Sequence, residues 1–312
     1  MESNNSIISG GFPLRIINDR VLIVQILIII FLAINLFLVS TFFRKDVFYT
    51  TMRYVLFAVT LLSDCLFLVM TNALLTLNYF GITLQMWLCS ILCFIVSVYT
   101  FVTPVTLTAM TLERYVAICM PLRHAELCSI QGVLQLMLII HCISAVPVTV
   151  TLSIFSAIMA PNLYTKNSVC SVEMFLLSDW QGHIRSAIGQ LYFLMMFSVI
   201  VFCYVKIMRV AKTASGENKK STWKGLRTVI LHGFQLLLCL IQLWCPFIEV
   251  AVLQINFMLF INVRYFNYIM FFLAPRCLSP LIYGLRDELF FQALKSYALC
   301  GFGPIKQIKC SL

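Results

Sequence analysis

Charged residues are scarce in this chain. Asp, Glu, Lys and Arg together make up 11% of the 312 residues, whereas hydrophobic residues make up 61%. One long run, from Leu66 to Leu112, contains none of these four charged residue types. A water-soluble domain buries too little surface to hide so many apolar side chains, so we expect lipid to be the solvent for most of the chain.

Sequence patterns typical of enzymes, metal sites and carriers are also missing. The four histidines do not show the His-x-x-x-His spacing that lets two imidazoles on one helix bind a metal ion. The sequence contains neither a nucleophile paired with a base nor a glycine-rich loop that would cradle phosphate. It also lacks the internal repeat typical of many transporters. We therefore expect a protein that is not an enzyme and has no cofactor or metal, with a small-molecule transporter as a remote alternative.

Seven apolar runs dominate the rest of the sequence. Crossing a hydrocarbon layer about 30 Å thick takes roughly 20 helical residues, and each run has about that length. The sequence predicts an all-α membrane protein, a seven-transmembrane helix bundle that occupies residues 21–285 and leaves only short loops. The predicted spans are Val21–Phe43, Val55–Leu77, Trp87–Leu112, Ile130–Ala160, Ser186–Val205, Thr228–Ile248 and Tyr265–Leu285.

Basic residues predict how the bundle is oriented. When the loops are assigned alternately to the two sides, most of the 22 Lys and Arg residues fall on one side, which is typical of the cytoplasm. Residues 1–20 are then extracellular, with Val21–Phe43 as an uncleaved signal anchor, and residues 286–312 are cytoplasmic. The net charge of +10 reflects this bias and an attraction to anionic membrane lipids rather than nucleic-acid binding. We expect a multi-pass protein of the plasma membrane.

Two of the thirteen cysteines are predicted to face the outside of the cell. Cys89 lies at the outer start of the third span and Cys170 lies in the loop after the fourth, so we expect a disulfide between them. Two free thiols are the alternative. On the same side, Asn4-Asn5-Ser6 is a sequon that would place a glycan on Asn4.

The chain after the seventh span alternates apolar and polar residues at helical spacing. Residues 286–295 are predicted to form a short amphipathic helix along the inner membrane surface. Cys300 and Cys310 follow this helix, and either a palmitoylated or an unmodified cysteine fits their position.

Glu113-Arg114-Tyr115 ends the charge-free run at the cytoplasmic end of the third span. The guanidinium of Arg114 has five donors and stays protonated, so at the edge of the lipid it needs acceptors. Glu113 supplies one acceptor, and a protein that enters from the cytoplasm can supply another, which is the arrangement of a two-state switch. A structural ion pair at a helix end is the alternative, and we favour the switch.

The segment Met110–Arg123 resembles a known signature. It is similar to the Met-Ala-Tyr-Asp-Arg-Tyr-Val-Ala-Ile-Cys-x-Pro-Leu motif of odorant receptors, which are rhodopsin-like G-protein-coupled receptors. Thr111, Leu112 and Glu113 replace the usual Ala, Tyr and Asp. Together with His124-Ala-Glu, this variant is similar to a fish-type odorant receptor group.

Other parts of the chain carry the same resemblance. Asn35 in the first span and Leu61-Leu62-Ser63-Asp64 in the second match motifs of the family. Ser279-Pro280-Leu281-Ile282-Tyr283 resembles its Asn-Pro-x-x-Tyr motif, with Ser in place of Asn. Trp244 and Pro246 match two residues of its Cys-Trp-x-Pro motif, and the proline is expected to kink the sixth span. The resemblance implies that Trp244 reports ligand occupancy to this kink, and an aromatic ring simply packed in the bundle is the alternative.

The resemblance also implies roles for individual residues. Those expected to act in the switch and in coupling to a G protein are Glu113, Arg114, Tyr115, Pro121, Leu122, Tyr204, Tyr283 and Arg286. Those expected to form a polar network in the core are Asn35, Asp64, Arg276 and Ser279. Those expected by helix phase, or as polar groups near the outer cavity, to contact a ligand are Val96, Ser97, Thr100, Phe247, Glu249, Tyr268 and Phe271. Amine-sensing relatives carry an aspartate at the position of Val96, so a biogenic amine ligand is disfavoured.

Asp64 and Arg276 are ionisable residues inside the second and seventh predicted spans. In related receptors the acid at the position of Asp64 often helps to hold a sodium ion. A buried arginine near a buried aspartate should pair with it, so we expect Arg276 to take the place of the sodium ion. The alternative is that Arg276 turns toward water in the ligand cavity while Asp64 stays separate and is free to bind sodium.

These features together predict an odorant receptor. It would bind a small organic odorant in the outer half of the bundle and activate a heterotrimeric G protein by promoting nucleotide exchange. The resemblance implies the olfactory stimulatory G protein and cyclic AMP. A rhodopsin-like receptor for a peptide or a lipid is the alternative within the same fold.

Overall fold

The computed structural model describes residues 19–43, 48, 51–122, 130–158, 167–170, 179–213, 216–278, 290–292 and 295. Within these residues, seven helices are long and apolar enough to cross a membrane, which confirms the predicted fold class. They are α1 (Asp19–Phe42), α2 (Met52–Tyr79), α3 (Met86–Cys119), α4 (Ile130–Ile158), α5 (Asp179–Thr213), α6 (Gly216–Leu253) and α7 (Phe257–Leu278). After α7, residues 290–292 are also helical, and the Phe290 ring packs against Phe48 and Phe57 with centroids 5.4 Å away in each case.

The third helix, α3, lies at the centre of the bundle and packs against α2, α4, α5 and α6. The largest apolar core joins these helices through fully buried side chains, among them Leu61 of α2, Leu107 of α3, Ile207 of α5 and Val229 of α6. Many large apolar side chains point away from this core on the outer faces of the helices. Such a surface suits lipid rather than water.

The connecting segment Lys206–Arg227 differs from the sequence-based expectation. It is helical at all its described residues, 206–213 and 216–227, so that α5 and α6 extend beyond the predicted spans. The spans were predicted from hydropathy, which detects only the part of a helix that suits lipid. Lys, Arg and Ala also favour helix in water, so the helices continue past the apolar spans.

The last helix begins earlier than predicted and contains an irregular stretch. It starts at Phe257 rather than near Tyr265, because the side chain of Asn256 caps it by accepting a hydrogen bond of 2.7 Å from the backbone N–H of Met258. Residues Tyr268–Leu273 form a π-helical segment, in which each backbone hydrogen bond spans one more residue than in an α-helix.

A disulfide joins Cys89, in the first turn of α3, to Cys170. Beside it, strands β1 (Thr83–Gln85) and β2 (Asn167–Val169) form an antiparallel pair. We call this end of the bundle the disulfide end. The opposite end, about 37 Å away along α3, holds Arg114 and is called the arginine end.

Candidate functional site

A cavity of about 810 Å³ lies between α3, α4, α5 and α6 near the disulfide end. Four of the predicted ligand-contacting residues line it, namely Val96, Ser97 and Thr100 of α3 and Phe247 of α6. The cavity has the size of small-molecule sites, which are usually largely apolar with a few well-placed polar groups.

Two predicted aromatic residues of α7 do not line this cavity. Among the described lining residues, Phe272 takes the place that helix phase assigned to Tyr268 and Phe271. Tyr268 instead packs beside α1 and α2, with its ring stacked on Phe272 at 5.8 Å. The reason is the π-helical segment, which shifts the facing positions of α7 relative to a regular α-helix.

Glu249 is also absent from the described lining of the cavity. Its Oε1 accepts a hydrogen bond of 3.1 Å from Nδ2 of Asn267, and its Oε2 lies 3.9 Å from Nε of Arg264. Polar side chains of α7 therefore draw this carboxylate to the contact between α6 and α7 and away from a ligand.

Trp244 lies on the outside of the described bundle rather than in the cavity. Its side chain is 49% exposed and does not line the cavity. Two nearby residues of the same helix, Leu243 and Pro246, do line it. Its ring approaches the lining residue Phe247 at 6.3 Å between centroids. A direct contact between Trp244 and a ligand is therefore not formed in this structure, and any role in sensing a ligand would pass through Phe247.

Several lining residues were not predicted from the sequence. They include Cys93 of α3, His183 and Arg185 of α5, and Gln242 of α6. Gln242 lies four residues before Pro246, one helical turn along the same face, and this spacing is the signal that would have identified it.

Cys93 lies next to the disulfide. Its Sγ is 3.9 Å from Sγ of Cys89 and 3.8 Å from Sγ of Cys170. The three sulfurs are close enough to hold a metal ion in principle. Because two of them are joined as a disulfide and are not thiolates, the arrangement does not suit a metal ion.

Asp64 of α2 and Arg276 of α7 meet in the middle of the bundle. Nη1 of Arg276 lies 2.7 Å from Oδ1 of Asp64, and the two side chains are 1% and 0% exposed. Thr103 of α3 donates a hydrogen bond of 2.9 Å to the same carboxylate oxygen and also contacts Nη1 of Arg276. The guanidinium lies over the Phe67 ring at 4.2 Å. Sequence reasoning did not find Thr103, because nothing local marks it among the many threonines of α3.

This geometry does not suit a sodium ion beside Asp64. The guanidinium already supplies the positive charge that the carboxylate requires, and a second cation would be repelled by it. Asn35, which we expected in the same network, is fully buried, but its amide has no hydrogen-bond partner in the described part of the chain. Ser279, the fourth member of the expected network, lies outside the described residues.

Glu113 and Arg114 lie side by side at the arginine end of α3. Nε of Arg114 is 3.8 Å from Oε2 of Glu113, an ion pair too long to be a hydrogen bond between these two atoms. Tyr115 packs edge-on against Phe202 of α5 at 5.6 Å between centroids. A guanidinium held this loosely by its neighbour can be drawn to another acceptor.

The other residues expected to couple to a G protein lie at the same end. Pro121 and Leu122 are exposed just after α3, and the Leu122 side chain is 87% exposed. Tyr204 of α5 packs against the edge of the main core. Tyr283 and Arg286 lie outside the described residues, as do Asn4, Cys300 and Cys310.

A buried histidine, missed by the sequence analysis, links α3 to α6 near the arginine end. Nδ1 of His232 lies 3.2 Å from Oγ1 of Thr111. When the Thr111 hydroxyl donates its proton to the carbonyl oxygen of Leu107 at 2.9 Å, Nδ1 of His232 is the donor in the contact between His232 and Thr111. Thr111 is one of the positions where the sequence departs from the odorant receptor motif, which was the available signal.

Comparison with known proteins agrees with this architecture. Residues 34–283 match the model of the 7 transmembrane receptor (rhodopsin family). Odorant receptor 131-2 of Danio rerio is 41% identical over 307 residues, which cover 98% of this chain and 94% of that protein. The chain therefore belongs to the rhodopsin family of seven-transmembrane receptors, and it resembles an odorant receptor along nearly its whole length.

Proposed function

We propose that this protein is an odorant receptor that binds a small organic ligand in the cavity at the disulfide end and activates a heterotrimeric G protein at the arginine end. The disulfide end would face outward and the basic arginine end the cytoplasm, in accord with the distribution of Lys and Arg. The similarity to a zebrafish odorant receptor supports an odorant as the ligand.

The observation that carries the proposal is that one helix connects the two ends. Helix α6 lines the cavity from Gln242 to Ala251 and, about 15 Å from Gln242 along its axis, places His232 against Thr111 of α3. Thr111 lies two residues before Glu113 on α3. A ligand that moves α6 in the cavity would therefore strain or break the contact beside the Glu113–Arg114 pair.

Activation would follow from differential affinity. A ligand shifts the balance between the resting and the open conformer only as far as it binds the open one more tightly, and a tenfold shift requires about 1.4 kcal/mol. When α6 moves outward, Arg114 would exchange Glu113 for an acceptor on the G protein. The exposed side chain of Leu122 offers an apolar contact for the same partner.

The G protein would be the olfactory stimulatory type, with cyclic AMP as the product of signalling. The test uses cells that express this receptor with that G protein and are exposed to a panel of odorants. We expect ligand-dependent cyclic AMP from the natural chain and none from Arg114→Ala at equal surface expression. Arg53→Ala is the matched control, because Arg53 lies on α2 near the same end and stacks on Tyr54. A response that persists unchanged in Arg114→Ala would refute the coupling mechanism.

Orientation is tested separately by cysteine labelling in intact cells. A cysteine introduced at Lys212, at the arginine end of α5, should not react with a membrane-impermeant maleimide until the cells are permeabilised. Labelling of Lys212→Cys in intact cells would reverse the proposed topology and remove the basis for G-protein coupling at this end.

A further inference from the structure

The cavity contains a buried amide whose hydrogen-bonding groups have no partner among the described residues. Gln242 is only 6% exposed and lines the cavity. Within the described part of the chain its side chain makes no hydrogen bond. A buried amide without a partner is costly, so a ligand that bonds to it gains more than it would in water.

Most hydroxyl groups that line the cavity are already satisfied by their own helices. Ser90 donates to the Met86 carbonyl at 2.9 Å, Thr100 to Val96 at 3.0 Å and Thr151 to Pro147 at 2.7 Å. These donors are not available to a ligand.

Ser97 differs from these three hydroxyls. It lines the cavity between Cys93 and Thr100, and its hydroxyl has no hydrogen-bond partner among the residues that the structure describes. Gln242 and Ser97 are therefore the groups best placed to orient a ligand, because the lining residues His183 and Gln254 are exposed and Ser186 accepts a hydrogen bond of 3.0 Å from Gln190. The surrounding wall is built largely of residues such as Phe94, Leu152 and Val250.

The charge of the cavity lining excludes one class of ligand. Arg185 lines the cavity, and no Asp or Glu is found among its described lining residues. The nearest candidate on α6, Glu249, is engaged by Asn267 and Arg264. An ammonium group in this cavity would lose its hydration without gaining a counter-charge.

We infer that the cavity selects a non-cationic ligand with a carbonyl or hydroxyl oxygen on an apolar chain, and that the amide of Gln242 recognises this oxygen. This inference rests on the proposed function, since it names the ligand class of the same cavity. The Nε2 of Gln242 donates to a carbonyl oxygen, and its Oε1 accepts from a hydroxyl, with Ser97 as a second donor. A hydrocarbon of the same shape leaves both groups unsatisfied, and an amine lacks a counter-charge.

The experiment compares four classes of probe that share hexyl, octyl and decyl chains: methyl ketones, primary alcohols, alkanes and primary amines. Cyclic AMP is recorded in cells that express the natural receptor, Gln242→Leu, or Gln135→Leu as the matched control. Gln135 is an exposed residue of α4 that does not line the cavity. Surface labelling confirms that each variant reaches the membrane, and Gln242→Met, which keeps nearly the same shape, replaces Gln242→Leu if the latter fails to do so.

We expect ketones or alcohols to activate the natural receptor at concentrations at least about tenfold lower than the alkanes and amines do. Gln242→Leu should remove most of this preference by weakening the response to the oxygenated probes about tenfold or more, while Gln135→Leu leaves it unchanged. Strongest activation by amines or alkanes, an equal loss for all four classes in Gln242→Leu, or silence toward every probe overturns the inference. The proposed function is tested separately with odorants outside these four classes. It fails if none of them gives a response that depends on Arg114.

Discussion

Nη1 of Arg276 lies 2.7 Å from Oδ1 of Asp64, although 212 residues separate the two in sequence. Both side chains are buried at the contact of α2, α3 and α7, where water cannot screen either charge. Each charge is therefore tolerable only because the other is present, and together they connect three helices through Thr103.

Removing one member of this pair should destabilise the bundle. In Arg276→Met or Asp64→Leu an uncompensated buried charge remains, which costs about 3–5 kcal/mol. We expect either variant to lose most of its surface expression and to unfold at a lower temperature in detergent. Arg264→Met is the matched control, because its side chain is half-exposed and its pair with Glu249 is longer.

The double variant Asp64→Arg with Arg276→Asp separates charge pairing from simple loss of packing. The two charges are then exchanged between α2 and α7, and surface expression should recover at least in part. If the exchanged pair expresses as poorly as the single variants, pairing is not what stabilises this region.

Sodium should not regulate this receptor. Since the guanidinium of Arg276 neutralises Asp64, replacing sodium by potassium or by N-methyl-D-glucamine at constant ionic strength should leave the concentration of odorant for half-maximal response unchanged. The measurement uses membranes from cells expressing the receptor, where both faces see the exchanged cation. A sodium-dependent shift of several-fold in the natural receptor would contradict the assignment of Arg276.

The contact between His232 and Thr111 should favour the resting conformer. His232→Phe keeps an aromatic ring in the bundle but removes the hydrogen bond to Oγ1 of Thr111, which is worth about 1 kcal/mol. We expect basal cyclic AMP to rise a few-fold, and Thr111→Val to have a similar effect. Unaltered basal signalling in both variants, at equal surface expression, would remove this contact from the proposed mechanism.

The disulfide between Cys89 and Cys170 should be needed for stable expression. It closes a loop with a sequence separation of 81, and losing such a bridge costs about 2–5 kcal/mol. Cys89→Ser is expected to reduce surface expression strongly. Cys142→Ser is the matched control, since Cys142 is a free, exposed cysteine of α4. Equal expression of the two variants would show that the bridge is dispensable.

The sequence predicted the membrane spans and several cavity residues correctly, because each of these depends on one apolar run or on regular helical spacing. The span prediction depended on apolar length alone, and a span such as Trp87–Leu112 is recognisable because lipid accepts no charged run. Four α3 and α6 positions at the cavity, Val96, Ser97, Thr100 and Phe247, were found because these helices keep a regular phase there.

The wrong predictions concern cavity residues whose helix departs from regular α-helical spacing, or whose side chain is bound by a residue distant in the sequence. Tyr268 and Phe271 were misplaced because a π-helical segment shifts α7, and no residue of that segment signals it clearly. Glu249 was assigned to a ligand because its capture by Asn267 and Arg264 depends on how α6 and α7 pack.

Hydropathy and charge are properties of the chain and not of its packing, so the bundle of seven membrane-crossing helices and the charged pair at the end of the third helix could be predicted without the fold. Most of the contacts between polar groups depend instead on how the helices pack. The pairing of Arg276 with Asp64 was expected from the sequence, whereas packing alone placed His232 against Thr111 and left the Gln242 side chain without a partner among the residues that the structure describes. Hydrogen bonds act over a few ångströms, so the partners of neutral polar groups on different helices are set by how the helices pack.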